Sequence, residues 1–425
     1  MKSLHEVLGE HREEYLQYLK DLVAIDTHDL GHGIDGGLEE KGQEYFEALV
    51  HKMGGEAVRD QMTEEAISTC LRDHQEGNPG HNYDRRFNVY ATFKGGDGPS
   101  LMFNGHMDTM PAGPVDAWKF GPHNPTVEDG RLYGLGSADM KGGLLGALLG
   151  VKLLQDAGIE LPGDVKITSV CDEEGGGNGS MQAIMSGQRA DACVVCEGTD
   201  DETIVAHMGF VFFRVSIEGR ANHSGAKWKG VSAIEKAMKI IRELDEVEHR
   251  WLLTYKHPLL PCPNLNVGTI HGGTAGSTVA GNCTFETCIH FLPGVMNLKQ
   301  VIAEFNDAID RVCAGDLWLK DHHPEITMYQ CGGPFEMDLE HPFVASMRSA
   351  FETCRGKKLN LVGSPAGCDS RLWRNIAQMP VVQFGPGRLE QCHAVNEYLE
   401  VESFFQAIEI YAQLILDWCG RNKNV

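Results

Sequence analysis

Four apolar segments, each followed closely by histidine or acidic residues, constrain the fold of this chain more than any other feature. They are residues 101–103 before His106 and Asp108, residues 164–170 before Glu173 and Glu174, residues 192–196 before Glu197, and residues 380–387 before His393. Short apolar runs of this kind are typical of buried strands, and the carboxyl ends of parallel strands form the ligand-binding edge of an α/β sheet. We therefore expect these polar side chains to meet at one sheet edge.

A glycine-rich turn at residues 134–143 adds a further carboxylate, Asp139. The turn leads into residues 144–154, which are apolar on nearly every face and predict a helix buried in the core. Glycines beside a carboxylate let the backbone approach a ligand or ion closely. Asp139 is therefore a candidate ligand, and the alternative is that it only caps the helix that follows.

The candidate residues together form a mixed set of nitrogen and oxygen donors. Such a set suits zinc, or cobalt and manganese, better than the all-oxygen shells of calcium and magnesium. Five ligands with a bridging aspartate are enough for two ions about 3.5–4 Å apart, an arrangement that activates water. The acidic triplet at residues 172–174 agrees with a bound cation, because adjacent carboxylates repel one another. A solvated acidic turn is the alternative.

Length, net charge and cysteine content limit the classes of protein to which this chain can belong. A chain of 425 residues is long enough for two or three domains, and 37 basic against 60 acidic residues give a net charge of −23. This charge argues against nucleic acid or an anionic membrane as a partner. We find neither a secretory signal nor an apolar segment near the roughly 18 residues that cross a bilayer, so we expect a soluble, cytoplasmic protein. The 13 cysteines are scattered, and the C-x-x-C pair Cys193 and Cys196 is expected to be packing.

The middle of the chain has a different pattern. Between residues 208 and 331 the predicted elements follow the order β-α-β-β-α-β, which is typical of a ferredoxin-like unit. Since residues 380–393 complete the site that begins before this unit, we predict an insertion. Residues 1–207 and 332–425 would form one α/β catalytic domain, with a mixed, mostly parallel sheet flanked by helices, and residues 208–331 a smaller α+β domain.

Five motifs carry a resemblance to a known family. Residues 104–108, 137–142, 172–174, 197 and 393–397 look like the motifs of the acetylornithine deacetylase, succinyl-diaminopimelate desuccinylase and glutamate carboxypeptidase family of zinc amidohydrolases. The motifs stand in the family's order, and the resemblance covers nearly the whole chain. It implies two zinc ions, replaceable by cobalt or manganese, and a homodimer in which the inserted unit serves as lid and dimerisation domain.

The resemblance also implies a role for each residue at the metal centre. Asp139 would bridge the two ions, with His106 and Glu197 completing one and Glu174 and His393 the other. Asp108 would hydrogen-bond the far nitrogen of His106 and fix its tautomer. Glu173 would take a proton from the metal-bridging water and pass it to the leaving amine.

Further roles concern the substrate. By the resemblance, His223 would stabilise the oxyanion across the dimer interface, and Asn282 would contact substrate. Arg371 is a candidate for binding a substrate carboxylate, because a guanidinium matches that geometry, and a local ion pair is the alternative. His290 occupies a lid position where many members have arginine, so it is a further substrate-binding candidate. Glu197, in place of aspartate, points to deacylases and glutamate carboxypeptidases rather than aminoacylase- and carnosinase-like dipeptidases.

The expected function is therefore hydrolysis of the amide bond of an N-acyl amino acid or a related small metabolite. A dipeptidase or a glutamate-type carboxypeptidase with the same metal centre is the alternative within the enzymes. A relative that binds a ligand without turnover is the alternative outside them.

Overall fold

The computed structural model describes residues 2–422, and the chain divides into two compact units. The first unit comprises the residues up to 205, residues 337–362 and the residues from 368 onward, and the second comprises residues 206–336 and 363–367. No helix within the described residues has both the length and the apolar character needed to span a bilayer.

The helices are α1 (Leu4–Val23), α2 (Glu40–Lys52), α3 (Glu64–His74), α4 (Gly142–Asp156), α5 (Asn178–Met185), α6 (Ala233–Thr254), α7 (Leu298–Gly315), α8 (Pro342–Arg355), α9 (Ser370–Asn375) and α10 (Val401–Cys419). The strands are β1 (Asp29–Gly33), β2 (Gly36–Gly37), β3 (Glu56–Gln61), β4 (Phe87–Phe93), β5 (Gly98–His106), β6 (Thr126–Glu128), β7 (Arg131–Tyr133), β8 (Gly163–Val170), β9 (Ala192–Val195), β10 (Thr203–His207), β11 (Gly209–Glu218), β12 (Asn222–His223), β13 (Asn264–Gly272), β14 (Thr278–Val279), β15 (Asn282–Phe291), β16 (Glu325–Gly332), β17 (Phe335–Glu336), β18 (Leu361–Ser364), β19 (Val381–Gln383) and β20 (Tyr398–Glu400).

The first unit is built on a mixed sheet in which β19, β9, β5, β8, β4 and β3 are neighbours in that order. The central strands β19, β9, β5 and β8 are parallel to one another. Strand β4 pairs antiparallel with β8, and β3 pairs antiparallel with β4. On the other side, β10 joins β19 in antiparallel fashion through Ile204 and Gln383. The prediction of a mixed sheet is confirmed, and its parallel centre places the carboxyl ends of four strands at one edge.

Helix α4 forms the centre of the packing because it is apolar on nearly every side, as predicted. It packs against α1 and α10. Gly150 of α4 allows close approach, since a Cβ atom there would lie 3.0 Å from the Cβ of Tyr411 in α10. The Tyr411 ring contacts Phe103 of β5 edge-on at 5.0 Å, and its hydroxyl donates to the Phe384 carbonyl at 2.7 Å. α10 thus fixes two of the strands that lead to the polar edge.

The second unit is an antiparallel sheet of β13, β15, β11 and β16, in that order, with α6 and α7 packed on it. Residues of β11 alternate between buried and less buried, as expected for a sheet covered on one face. Phe213 of β11 stacks on Phe305 of α7 with ring centres 4.1 Å apart. The element order and strand order confirm the ferredoxin-like prediction.

Candidate active site and metal centre

Six side chains that the sequence singled out meet at the polar edge of the first unit's sheet. His106 is the last residue of β5, and the others lie in turns or loops beside the sheet: Asp139 before α4, Glu173 and Glu174 after β8, Glu197 after β9 and His393 after β19. Since Glu173 and Glu174 share one turn, the six side chains come from five separate segments of the chain.

Asp139 is the centre of this cluster because its two oxygens face different histidines. Oδ1 lies 3.2 Å from Nε2 of His106, and Oδ2 lies 3.6 Å from Nε2 of His393. Each histidine has one further carboxylate: Glu197 Oε1 lies 3.5 Å from His106 Nε2, and Glu174 Oε2 lies 2.9 Å from His393 Nε2. The N-cap residue of α4 is Lys141, so the alternative that Asp139 merely caps this helix is wrong.

The electrostatics reflect several carboxylates held close together. Burial, followed by the charges of neighbouring carboxylates, raises the pKa of Glu173 well above its usual value and that of Glu174 to about 7. Burial also opposes protonation of His106, but hydrogen bonds to Asp139 and Glu197 outweigh it and raise the pKa of His106. The site therefore has more negative charge than its histidines can balance.

The donors fit divalent metal ions. Within the described residues, two groups offer ligand atoms that lie within 4.8 Å of one another: His106 with Glu173 and Glu197, and His106 with Asp139 and Glu174. Imidazole nitrogen and carboxylate oxygen are the ligand types of zinc and of related transition metals. A dication would also offset the charge of the carboxylates.

Asp108 contacts His106 differently from the predicted arrangement. Nδ1 of His106 hydrogen-bonds the backbone carbonyl of Asp108 at 2.9 Å, and the Oδ1 atom of the carboxylate is 3.6 Å away. The other carboxylate oxygen accepts the backbone N–H of Glu174 at 2.9 Å. The backbone of Asp108 therefore orients His106, and its side chain ties the β5 turn to the β8 turn.

The acidic triplet does not act as one group. Glu173 and Glu174 belong to the cluster, but the carboxylate of Asp172 binds Arg86 at 3.0 Å and His81 at 2.7 Å. The expectation that a bound cation offsets the charge of the whole triplet is therefore wrong for Asp172, whose carboxylate pairs with Arg86 instead.

Arg371 does not match the expected carboxylate-binding role. Its side chain is 3% exposed, and Nε donates to Glu76 Oε2 at 3.1 Å. The remaining nitrogens donate to the carbonyls of Cys368 at 2.8 Å and Gly176 at 3.1 Å. This arrangement favours the alternative, a local ion pair, because the guanidinium is already engaged by buried acceptors.

Glu397 is a residue whose contribution the sequence did not reveal. Its buried carboxylate accepts the backbone N–H groups of Gly136 and Ala138 at 2.7 Å and of Asp139 at 3.0 Å. It thereby holds the loop that presents the Asp139 carboxylate. Its position within the motif at residues 393–397 was the available signal.

Three predicted residues lie in the second unit. His223 is exposed, and its Nδ1 accepts the backbone N–H of Gly225 at 3.1 Å. Asn282 is exposed at the start of β15. His290 is half-buried, its Nδ1 lies 3.3 Å from Oδ1 of Asn264, and burial lowers its pKa.

The C-x-x-C residues Cys193 and Cys196 are buried in the first unit, and burial raises the pKa of both thiols, in agreement with a packing role.

Residues 102–417 match the peptidase family M20/M25/M40. The chain belongs to this family. The N-formyl-4-amino-5-aminomethyl-2-methylpyrimidine deformylase of Bacillus subtilis is 30% identical over 99% of this chain and 98% of that protein. The acetylornithine deacetylase of Edwardsiella ictaluri is 31% identical over 81% of this chain and 87% of that protein. The M20 chain described here is thus an enzyme that hydrolyses amide bonds, and the prediction of an amidohydrolase is confirmed.

Solved structures show the same fold. The M20 family metallo-carboxypeptidase Sso-CP2 from Sulfolobus solfataricus superposes with a TM-score of 0.74 at 16% identity, covering 96% of this chain and all of that one. The Bacillus subtilis YxeP protein, described as a dinuclear metal-binding peptidase of the M20 family, has a TM-score of 0.67 at 14% identity and covers 97% of this chain and 99% of its own. At these identities the structural similarity establishes only the fold of this M20 enzyme.

Proposed function

We propose that this M20 enzyme removes a small N-acyl group, formyl or acetyl, from an amine at a centre that holds two divalent metal ions. The observation that carries the proposal is Asp139, whose two oxygens face two histidines, each with its own carboxylate. In this assignment His106, Glu197 and Asp139 would hold one ion, and Glu174, His393 and Asp139 would hold the other. Zinc suits these donors, and cobalt or manganese would substitute.

Bound divalent ions would supply Lewis acidity, which lowers the pKa of an attacking water toward about 7 and stabilises the negative charge that develops on the carbonyl oxygen. Glu173 accepts one proton from that water as its oxygen bonds to the acyl carbon. Glu173 then delivers the proton to the nitrogen as the C–N bond breaks, and a carboxylic acid and an amine result. Burial raises the pKa of Glu173 above the usual carboxyl value, which is the direction that favours acceptance of a proton.

The acyl donor is proposed from two observations. The Bacillus subtilis relative, whose name gives an N-formyl aminomethylpyrimidine as its substrate, matches nearly the full length of both chains. The guanidinium of Arg371 binds Glu76, so it is not available to bind a substrate carboxylate. Both favour a substrate without a terminal carboxylate at this position, such as an N-formylaminomethyl heterocycle. Deacetylation of an N-acetyl amino acid is the second candidate, supported by the Edwardsiella ictaluri relative.

We also propose that residues 208–331 form the lid and dimerisation domain of a cytoplasmic homodimer, inserted between catalytic segments 1–207 and 332–425. In this proposal His223 of one subunit stabilises the oxyanion in its partner, and Asn282 and His290 contact substrate. Strand β13 supports self-association, because it is the terminal strand of the described four-stranded sheet, and its residues from 268 to 272 are exposed. Exposed edge strands are natural sites for pairing between chains.

Adjacent glutamates provide the test of the catalytic assignment. Glu173→Gln is expected to keep the metal content of the parent enzyme and to lower kcat by at least about 10². Glu174→Gln, the same substitution one residue later, is expected to lose metal. Metal analysis and steady-state kinetics on N-formyl, N-acetyl and N-succinyl amines and dipeptides would give both results. Parental kcat in Glu173→Gln would refute its role as base, and preferred cleavage of dipeptides would refute the deacylase assignment.

A further inference from the structure

A completely buried arginine joins three distant segments of the first unit. Nη1 of Arg86 donates to Oδ1 of Asp172 at 3.0 Å, and Nη2 donates to Oδ1 of Asp29 at 2.5 Å. Nε donates to the two carboxylate oxygens of Glu39 at 3.1 and 3.2 Å. All four side chains are 0% exposed. A planar guanidinium bound by this many charge-assisted hydrogen bonds has a fixed orientation.

Asp172 immediately precedes Glu173, and both of its carboxylate oxygens have partners. While Oδ1 accepts from Arg86, Oδ2 accepts from Asn178 Nδ2 at 2.9 Å and lies 2.7 Å from Nδ1 of His81. The backbone of Asp172 has a φ of +61°, in the left-handed region that residues other than glycine rarely adopt. Its side-chain contacts therefore stabilise an unfavourable backbone conformation at the start of the turn after β8, which carries Glu173 and Glu174.

Asp29 also connects Arg86 to the turn after β5. Asp29, which binds Arg86 through its side chain, donates its backbone N–H to the carbonyl of Thr109 at 2.9 Å. Thr109 follows Asp108, whose carboxylate accepts the backbone N–H of Glu174. Arg86 therefore connects the segments on both sides of Glu173 and Glu174. A pair that served stability alone would need only one of the three carboxylates, whereas three carboxylates, from β1, the start of α2 and the turn after β8, fix these segments relative to one another.

We propose that Arg86 is a positioning residue for hydrolysis, which acts through Asp172 to fix the turn that presents Glu173. This inference rests on the proposed role of Glu173 as general base. A general base works only within about 2.6–3.2 Å of the proton it accepts, and a displacement of about 1 Å can cost roughly 10²-fold in rate. Loosening the turn lowers kcat and leaves substrate binding largely unchanged.

Two conservative variants test the link. Arg86→Lys keeps the charge but loses the planar fork, and Asp172→Asn keeps the shape but loses the charge that Arg86 binds. Each is expected to lower kcat by at least about tenfold, with KM within about twofold and metal content equal to that of the parent. Arg59→Lys is the matched control, because Arg59 also binds a carboxylate, that of Glu47 at 2.9 Å, but is 45% exposed. Its kcat is expected to be parental.

A double-mutant cycle with Glu173→Gln separates positioning from a general loss of structure. If Arg86 acts through Glu173, adding Arg86→Lys or Asp172→Asn to Glu173→Gln lowers kcat by less than about twofold, because the group being positioned is already absent. An equal fold-loss in both backgrounds would overturn the proposal. Parental kcat in folded Arg86→Lys and Asp172→Asn would also overturn it, and if neither variant folds, the cluster serves folding and the proposal is wrong.

The cycle also distinguishes failure of this inference from failure of the proposed mechanism. Parental kcat in Glu173→Gln alone rejects the general base, and with it the positioning role. A large loss in Glu173→Gln together with parental kcat in Arg86→Lys and Asp172→Asn rejects the positioning role only.

Discussion

Replacing Arg371 by methionine distinguishes a substrate-binding arginine from a structural one. Arg371→Met keeps much of the buried volume but removes the hydrogen bonds to Glu76, to the Cys368 carbonyl and to the Gly176 carbonyl. Glu76 is 7% exposed, so its carboxylate would be left buried opposite an apolar side chain. Breaking a buried ion pair by removing one partner costs about 3–5 kcal/mol. We therefore expect a stability loss of that size.

Thermal unfolding measures this effect. At about 2 °C per kcal/mol, the lower end for domains of 150–250 residues, a loss of about 3 kcal/mol lowers the Tm by roughly 6 °C. The double variant Arg371→Met with Glu76→Gln is expected to be more stable than Arg371→Met alone, because it no longer buries the Glu76 charge opposite an apolar side chain. An unchanged Tm, together with a raised KM confined to carboxylate-bearing substrates, would show that Arg371 binds substrate and that the structural interpretation is wrong.

Two further predictions follow from buried carboxylates. Glu397→Gln places an amide N–H₂ against backbone N–H donors of the Asp139 loop, so we expect metal affinity to fall by about 10–100-fold in a competition titration with a chelator; unchanged affinity would contradict the role of Glu397 in holding Asp139. In the second unit, burial would raise the pKa of Asp316, but hydrogen bonds from Lys236 and Lys239 outweigh it and lower that pKa. The ionised form therefore stabilises the fold above the ordinary aspartate pKa of about 3.9 and loses this contribution as the pH falls below it. Asp316→Asn should lower the Tm more at pH 7 than at pH 3, and an equal effect at both would refute this reasoning.

The sequence predicted the parts of the fold that depend on local pattern. Short apolar runs identified the central strands, the all-apolar run after Asp139 identified α4, and the order of elements between residues 208 and 331 identified the ferredoxin-like unit. Because parallel strands end at one edge, the meeting of residues from separate segments could also be anticipated. These inferences need only periodicity and topology.

Side-chain direction could not be predicted in the same way. Asp172, Glu173 and Glu174 are adjacent carboxylates in the sequence, but the left-handed Asp172 binds Arg86 through its carboxylate and does not join the cluster around Asp139. A guanidinium such as that of Arg371 suits a substrate carboxylate, yet spacing does not show that it binds Glu76. Both outcomes depend on partners far away in the sequence, and residues 75–86 carry no periodic pattern that would have drawn attention to them.

The two buried arginines have a common physical explanation in the turn after β8. Gly176 and Gly177 have φ angles of +117° and +90°, which glycine adopts without strain but at a high cost in conformational entropy. Such a turn allows close packing, since a Cβ atom on Gly177 would lie 2.7 Å from Asp369, yet it has little rigidity of its own. Arg86 holds the residue before Glu173, and Arg371 holds the carbonyl of Gly176 beyond it. The rigidity that the proposed general base requires is thus supplied by side chains from outside the turn, because the glycines that shape the turn cannot supply it.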